Sequence, residues 1–177
     1  MDIEPFLKLL QRLNDNQVDY VLVGGMAAMV HGADITTQDV DVCTSMSPEN
    51  VQKIIKSMDG LNAYWSRRPG PPLMLERTLD QLENVKNIYL ETPYGRIDFL
   101  GELPQVGDFE YAKKHSSWLN VIPEFRCRVL DIDPLIACKK AANRSKDIPA
   151  IYHLMALRDS LFYNPRPHLG EPENGED

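Results

Sequence analysis

Apolar residues recur at Ile3, Phe6, Leu7, Leu10 and Leu13, three and four positions apart, which draws one stripe along a helix over residues 2 to 14. Asn14-Asp15-Asn16 ends that pattern. The run from Val18 to Val23 is β-branched and aromatic and stops at Gly24-Gly25, so it reads as a buried strand. A short helix follows from the glycine pair to His31, with Gly32 as its C-terminal stop. Asp39-Val40-Asp41-Val42 then alternates acid and valine, and a strand's period of two puts both acids on one face and both valines on the other. Ser47 and Pro48 supply an N-cap and a first turn for a helix reaching about Met58, with Val51, Ile54, Ile55 and Met58 apolar and Gly60 beyond it.

Residues 61 to 66 read as a strand, whereas residues 69 to 84 combine Pro69, Pro71 and Pro72 with some helical periodicity and yield no clear element. Residues 87 to 91 and 96 to 100 flank Thr92-Pro93-Tyr94-Gly95, strong turn chemistry that predicts a hairpin with Asp98 in mid-strand. Further on, the pattern predicts a helix near 108 to 115, a strand near 126 to 131, and helices near 134 to 144 and 147 to 162. The elements define an α/β fold: a mixed sheet of four to six strands flanked by helices, with a small C-terminal helical segment. Residues 1–163 are expected to form one domain. Residues 164–177 are expected to be a disordered tail, being rich in proline and acid.

Composition narrows the function classes. With 43% hydrophobic and 25% charged residues the chain has the make-up of an ordinary folded domain. A net charge of −7 excludes a wholly basic surface that coats nucleic acid, so any such contact must be local. The tail carries four of the acids and one arginine, which leaves the body only mildly acidic. Cys43, Cys127 and Cys138 cannot pair completely and none lies in a C-x-x-C spacing, which predicts a reducing compartment. The first residues carry acids where a signal peptide needs bases, and no apolar run approaches the roughly 18 residues of a membrane span, so the expectation is a cytoplasmic protein without membrane contact.

The acids carry the chemistry. Asp39 and Asp41 on one strand face lie roughly 6 to 7 Å apart, and Asp98 sits on a second apolar strand of the same kind. If the strands are neighbours, a spacing of about 4.8 Å brings the third carboxylate to the pair. Carboxylates about 5 Å apart repel by roughly 3 kcal/mol per pair at an effective dielectric near 20, unless a cation or protons neutralise them. Oxygen-only ligands favour Mg²⁺ or Mn²⁺ over Zn²⁺. An Asp-x-Asp on a solvated strand face also occurs with no metal at all. Gly24-Gly25, between a strand and a helix, suits a phosphate at the helix N-terminus, and equally suits a bare tight turn. Neither G-x-G-x-x-G nor G-x-x-x-x-G-K-[ST] is present.

Taken together, an apolar strand, Gly24-Gly25, thirteen residues, Asp39-Val40-Asp41-Val42, and a distant Ile97-Asp98-Phe99 resemble the nucleotidyltransferase superfamily of DNA polymerase β. Within it the chain is similar to the minimal nucleotidyltransferases and AbiEii-type toxin relatives. The stretch DPLIACKKAANRSKDIPAIYHLMAL, with Leu135, Lys139, Arg144, Lys146 and Asp147 on matching positions, resembles that group's closing segment. The resemblance implies that Asp39, Asp41 and Asp98 bind divalent metal (Mg²⁺ or Mn²⁺) and carry catalysis. It further implies that Gly24, Gly25, Thr37, Lys139 and Lys146 bind a nucleoside triphosphate. The implied reaction transfers an NMP to a hydroxyl of a macromolecule, RNA (a tRNA end) or protein, with an antitoxin as a further expected partner. One alternative is a small-molecule acceptor such as an antibiotic; another is an inactive relative that binds a nucleotide or a partner. Relatives often carry Pro-Arg where this chain has Asp34-Ile35, which removes an arginine fork for phosphate or acceptor.

Other polar residues read more plainly. A lysine such as Lys139 or Lys146 on an amphipathic helix is often simply solvated, and Arg144 and Asp147 are placed to pair across the break between the last two helices. His31 reads as packed and hydrogen-bonded, and Cys43 as a small buried hydrophobe. Arg67-Arg68 and Lys113-Lys114 read as solvated surface with RNA backbone contact as the alternative.

Overall fold

The first helix forms on the predicted stripe: α1 spans Glu4–Asp15 and buries Phe6, Leu7, Leu9, Leu10 and Leu13. This is seen in a computed structural model of the chain, which describes residues 3–75, 82 and 85–163. The tail expected from 164 onward lies outside the described residues, as does much of the uncertain stretch before residue 85. From α1 the chain enters β1 (Tyr20–Val23), α2 (Gly24–His31) and β2 (Asp39–Thr44). Gly32 ends α2 at φ +106°, a left-handed conformation open to glycine. Ser47 caps α3 (Pro48–Ser57), its hydroxyl accepting from the Asn50 amide. Asn50 in turn accepts from the Asp19 amide at 2.8 Å and donates to Thr44 Oγ1 at 2.8 Å, which ties α3 to the first two strands.

The second half adds the short β3 (Tyr64–Trp65), the predicted hairpin β4 (Asn87–Thr92) and β5 (Gly95–Leu100), and a two-residue ribbon of β6 (Glu102–Leu103) and β7 (Gly107–Asp108). Next come α4 (Phe109–Lys114), β8 (Ser116–Ile122), β9 (Phe125–Leu130), α5 (Ile132–Ala142), a 3-10 turn at Ser145–Asp147 and α6 (Ile148–Tyr163). Among the described residues seven strands form one mixed sheet in the order β3-β4-β5-β2-β1-β9-β8, more than the four to six expected. The extra strand is β8, an antiparallel edge partner of β9 across Pro123-Glu124. Its residues are half-buried or exposed, so its sequence has no alternating pattern to betray it.

The centre of the sheet is what aligns the acids. β2 runs antiparallel to β1 and parallel to β5, and β5 is antiparallel to β4. Val40, Val42, Ile97, Phe99, Ile88 and Leu90 are all fully buried. They occupy one face of the three strands, so the register turns Asp39, Asp41, Asp98 and Tyr89 to the other. Helices α1 and α3 pack together, with α1 also on β5, whereas α2, α5 and α6 form a second group.

Candidate active site

Asp41 and Asp98 are direct register partners on adjacent parallel strands, and Asp39 precedes Asp41 by one strand period. One carboxylate oxygen from each of the three lies within 4.8 Å of the others. The convergence expected from sequence is therefore present. Asp98 is the deepest, with its side chain 1% exposed. Its Oδ2 is paired with the Arg67 guanidinium, and its buried Oδ1 has no hydrogen-bond partner among the described residues.

Burial and mutual repulsion act on the acids in the same direction. Burial, then the neighbouring Asp39 and Asp98 charges, push the Asp41 carboxyl up to about 6, against the opposing pull of Arg144 and Arg67. Asp98 is also raised, chiefly by burial and despite Arg67 beside it. A three-carboxylate cluster that holds its charge at this expense, with one buried oxygen unpartnered, fits a hard divalent cation.

The glycines serve the acids first. Gly24 has φ +67°, and a Cβ there would lie 2.1 Å from Asp41 Oδ2. A Cβ on Gly25 would lie 2.5 Å from Thr37 Oγ1. The pair lets the start of α2 press against the Asp41 carboxylate and Thr37 at once. Thr37 is buried, and its hydroxyl donates toward Asp39 Oδ1 at 3.0 Å and lies 3.1 Å from the Asp39 carbonyl, which steadies the first acid. Ile35, at the position where an arginine was expected in relatives, packs half-buried against the core.

A cavity of about 320 Å³ opens beside the cluster. Its polar lining includes Asp41, Asp98, Glu102, Arg67, Lys139 and Arg144, with Gly24 beside them. Its apolar lining comes from Leu100, Leu103, Pro104, Leu135, Cys138 and Ala142. Lys139 is buried and reaches Asp147 Oδ1 at 3.3 Å, while Arg144 Nε reaches Asp147 Oδ2 at 2.6 Å, so the expected Arg144–Asp147 pair forms. Lys146 is exposed on the 3-10 turn and does not line this cavity.

Sequence reading placed Arg67 on a solvated surface, and the fold brings it to the acids. The Ser66 amide donates to the Tyr89 carbonyl at 3.0 Å, one step past the β3–β4 pairing, and delivers Arg67 over the Tyr89 ring, 4.0 Å from its centroid. Tyr89 is the register partner of Asp98. The contact joins residues 31 positions apart, and no local pattern announces it. The other polar candidates fall as read: His31 is buried with Nε2 2.8 Å from the Leu130 carbonyl, and Cys43 is buried with its thiol pushed up to about 12. Lys113 and Lys114 close α4, outside the cavity.

The fold is nucleotidyltransferase-like. The chain superposes on the lincosamide antibiotic adenylyltransferase LnuA, crystallised with lincomycin, with a TM-score of 0.62 at 14% identity, over 89% of this chain and 98% of that one. It also superposes on the solution structure of the antibiotic-resistance factor ANT(2'')-Ia, with a TM-score of 0.54 at 12% identity over 91% of each chain. No protein-family model and no curated protein matches the sequence. No helix among the described residues is long and apolar enough to cross a membrane.

Proposed function

We propose that this chain is a divalent-metal-dependent nucleotidyltransferase that moves an NMP from a nucleoside triphosphate to a hydroxyl of a small, partly apolar acceptor. The observation that carries the reading is the convergence of Asp39, Asp41 and Asp98 within 4.8 Å beside the Gly24-Gly25 bend. Asp39, Asp41 and Asp98 would hold the ion, Mg²⁺ or Mn²⁺. When bound, it supplies the positive charge that offsets the phosphates and acidifies the acceptor hydroxyl.

The remaining work falls to the chain's own groups. The backbone at Gly24-Gly25 and the N-terminus of α2 receive the triphosphate, and Arg144, half-exposed at the cavity wall, adds charge to it. Lys139, fixed by Asp147, contributes positive potential from beneath. The acceptor oxygen attacks the α-phosphorus and a new O–P bond forms as the bond to the β-phosphate breaks. Pyrophosphate leaves, and a carboxylate oxygen of the cluster that the ion does not occupy takes the acceptor's proton.

The cavity favours a small acceptor over the macromolecular hydroxyl expected from sequence. Its apolar lining supports a partly apolar molecule that presents a hydroxyl to the acids. LnuA and ANT(2'')-Ia, whose names tie them to antibiotics, support the same choice, because the chain matches nearly their whole length. The test incubates the protein with each nucleoside triphosphate, Mn²⁺ and a panel of hydroxylated small molecules including antibiotics, and in parallel with total RNA and cell lysate. Pyrophosphate release with a small acceptor, lost in Asp41→Asn, is expected. Label transfer confined to RNA or protein overturns the acceptor class, and no transfer to any acceptor overturns the enzymatic reading.

A further inference from the structure

Arg67 stands where a cation belongs. Its guanidinium pairs with Oδ2 of Asp98, the most buried of the three acids, yet its own side chain is 55% exposed. It comes from residues just past the two-residue edge strand β3, and so enters the site from the solvent side. Its position is set by stacking on Tyr89, 4.0 Å from the ring centroid, rather than by a second carboxylate. The Asp98 oxygen that faces Arg67 therefore has one cationic partner, and that partner is reached through an exposed, movable side chain.

We infer that Arg67 is a tethered counter-ion that exchanges partners, leaving Asp98 when a divalent cation binds the three acids and passing its charge to a phosphate oxygen of the incoming nucleotide. The inference rests on the nucleotidyltransferase reading above. Three facts carry it. A cation held by Asp39, Asp41 and Asp98 competes directly with the guanidinium for Asp98. Tyr89 lines the same cavity, so a guanidinium that leaves Asp98 while still stacked stays at the cavity wall. A planar fork of donors then finds phosphate oxygens in place of carboxylate oxygens, a swap between its two best-matched acceptors. Arg67 thereby couples the two ligands: the ion alone must displace it, and the nucleotide rewards the displacement. It is a positioning residue for the donor.

Calorimetric titration with Mn²⁺ tests this, in the absence and presence of a non-hydrolysable nucleoside triphosphate, on wild type, Arg67→Ala and Arg67→Lys. Wild type should bind Mn²⁺ about tenfold more tightly once the nucleotide is present. Arg67→Ala should bind Mn²⁺ alone about tenfold more tightly than wild type does and should lose most of the gain from nucleotide. Arg67→Lys, which keeps the charge without the fork, should fall between them. Circular dichroism and thermal melting should show each variant folded, because the Arg67 side chain is half-exposed. If Arg67→Ala binds Mn²⁺ alone no more tightly than wild type, the exchange is overturned while the functional reading stands. If wild type binds no Mn²⁺ with or without nucleotide, both are overturned.

Discussion

Gly24 and Asp41 share a space that holds only one of them with a side chain: a Cβ on Gly24 would sit 2.1 Å from Asp41 Oδ2. The glycine is also at φ +67°, where any other L-residue is strained. Gly24→Ala should therefore destabilise the protein by at least about 2 kcal/mol, combining backbone strain with a clash in a packed site. Gly60 is the matched control, because it has φ +71° with nothing within 4 Å of its added Cβ. Gly60→Ala should lose only about 1 kcal/mol. Urea unfolding of both variants checks this, and equal losses would mean that the contact with Asp41 is unimportant.

The metal-free protein should lose stability as pH rises from about 4 toward neutrality. Asp41 sits at about 6 in the folded chain against 3.8 ordinarily, so in that window the native state binds the proton that the unfolded state has released. The contribution is fully present below the unfolded value and is lost as pH passes through about 6. Its full size is roughly 3 kcal/mol, set first by burial and then by the charges of Asp39, Asp98, Arg144 and Arg67. Unfolding in a chelator at pH 4.5 and 7.5 should show the loss in wild type and much less of it in Asp41→Asn, which at pH 7.5 should be the more stable of the two. Parallel pH profiles for the two proteins would contradict the assignment.

Asp147 holds two cations, and Lys139 beside it has a side chain only 6% exposed. Asp147→Ala leaves that ammonium buried without its carboxylate, a change expected to cost about 3–5 kcal/mol. Arg144→Ala removes the more exposed partner, 56% exposed, and should cost well under half as much. Thermal denaturation of the two variants should separate them clearly. The reverse order would place the burden of the network on Arg144.

Asp41→Asn and Asp98→Asn should each abolish nucleotidyl transfer while the fold persists, since each removes a charge from the cluster without removing volume. Turnover within tenfold of wild type in either variant would contradict its role; the measurement is pyrophosphate release alongside a circular dichroism spectrum.

What the sequence disclosed follows from range. Period-two alternation in Asp39-Val40-Asp41-Val42 and Ile97-Asp98-Phe99 is local, and the fully buried Val40, Val42, Ile97 and Phe99 demanded that those acids face the other way. Ser47, Gly32 and the Pro93-Tyr94 turn are likewise signals readable within a few residues. Arg67 was not legible, because its role depends on Tyr89 pairing with Asp98 and on β3 lying beside β4, contacts that no short window contains. β8 was missed for a different reason: on an edge strand neither face is fully buried, so Trp118, Leu119, Val121 and Ile122 follow no alternation. Its usable signal was composition, β-formers ahead of Pro123-Glu124. The glycine pair was legible as a turn, but its packing against Asp41 and Thr37 belongs to the tertiary fold.

The most direct measurement is a crystal of the full chain soaked with Mn²⁺ and a non-hydrolysable nucleoside triphosphate, read by anomalous scattering. The predicted result is a manganese peak within about 2.1–2.2 Å of oxygens from Asp39, Asp41 and Asp98, with the triphosphate against Gly24-Gly25. An ordered nucleotide elsewhere, or manganese that ignores these three carboxylates, would contradict the account.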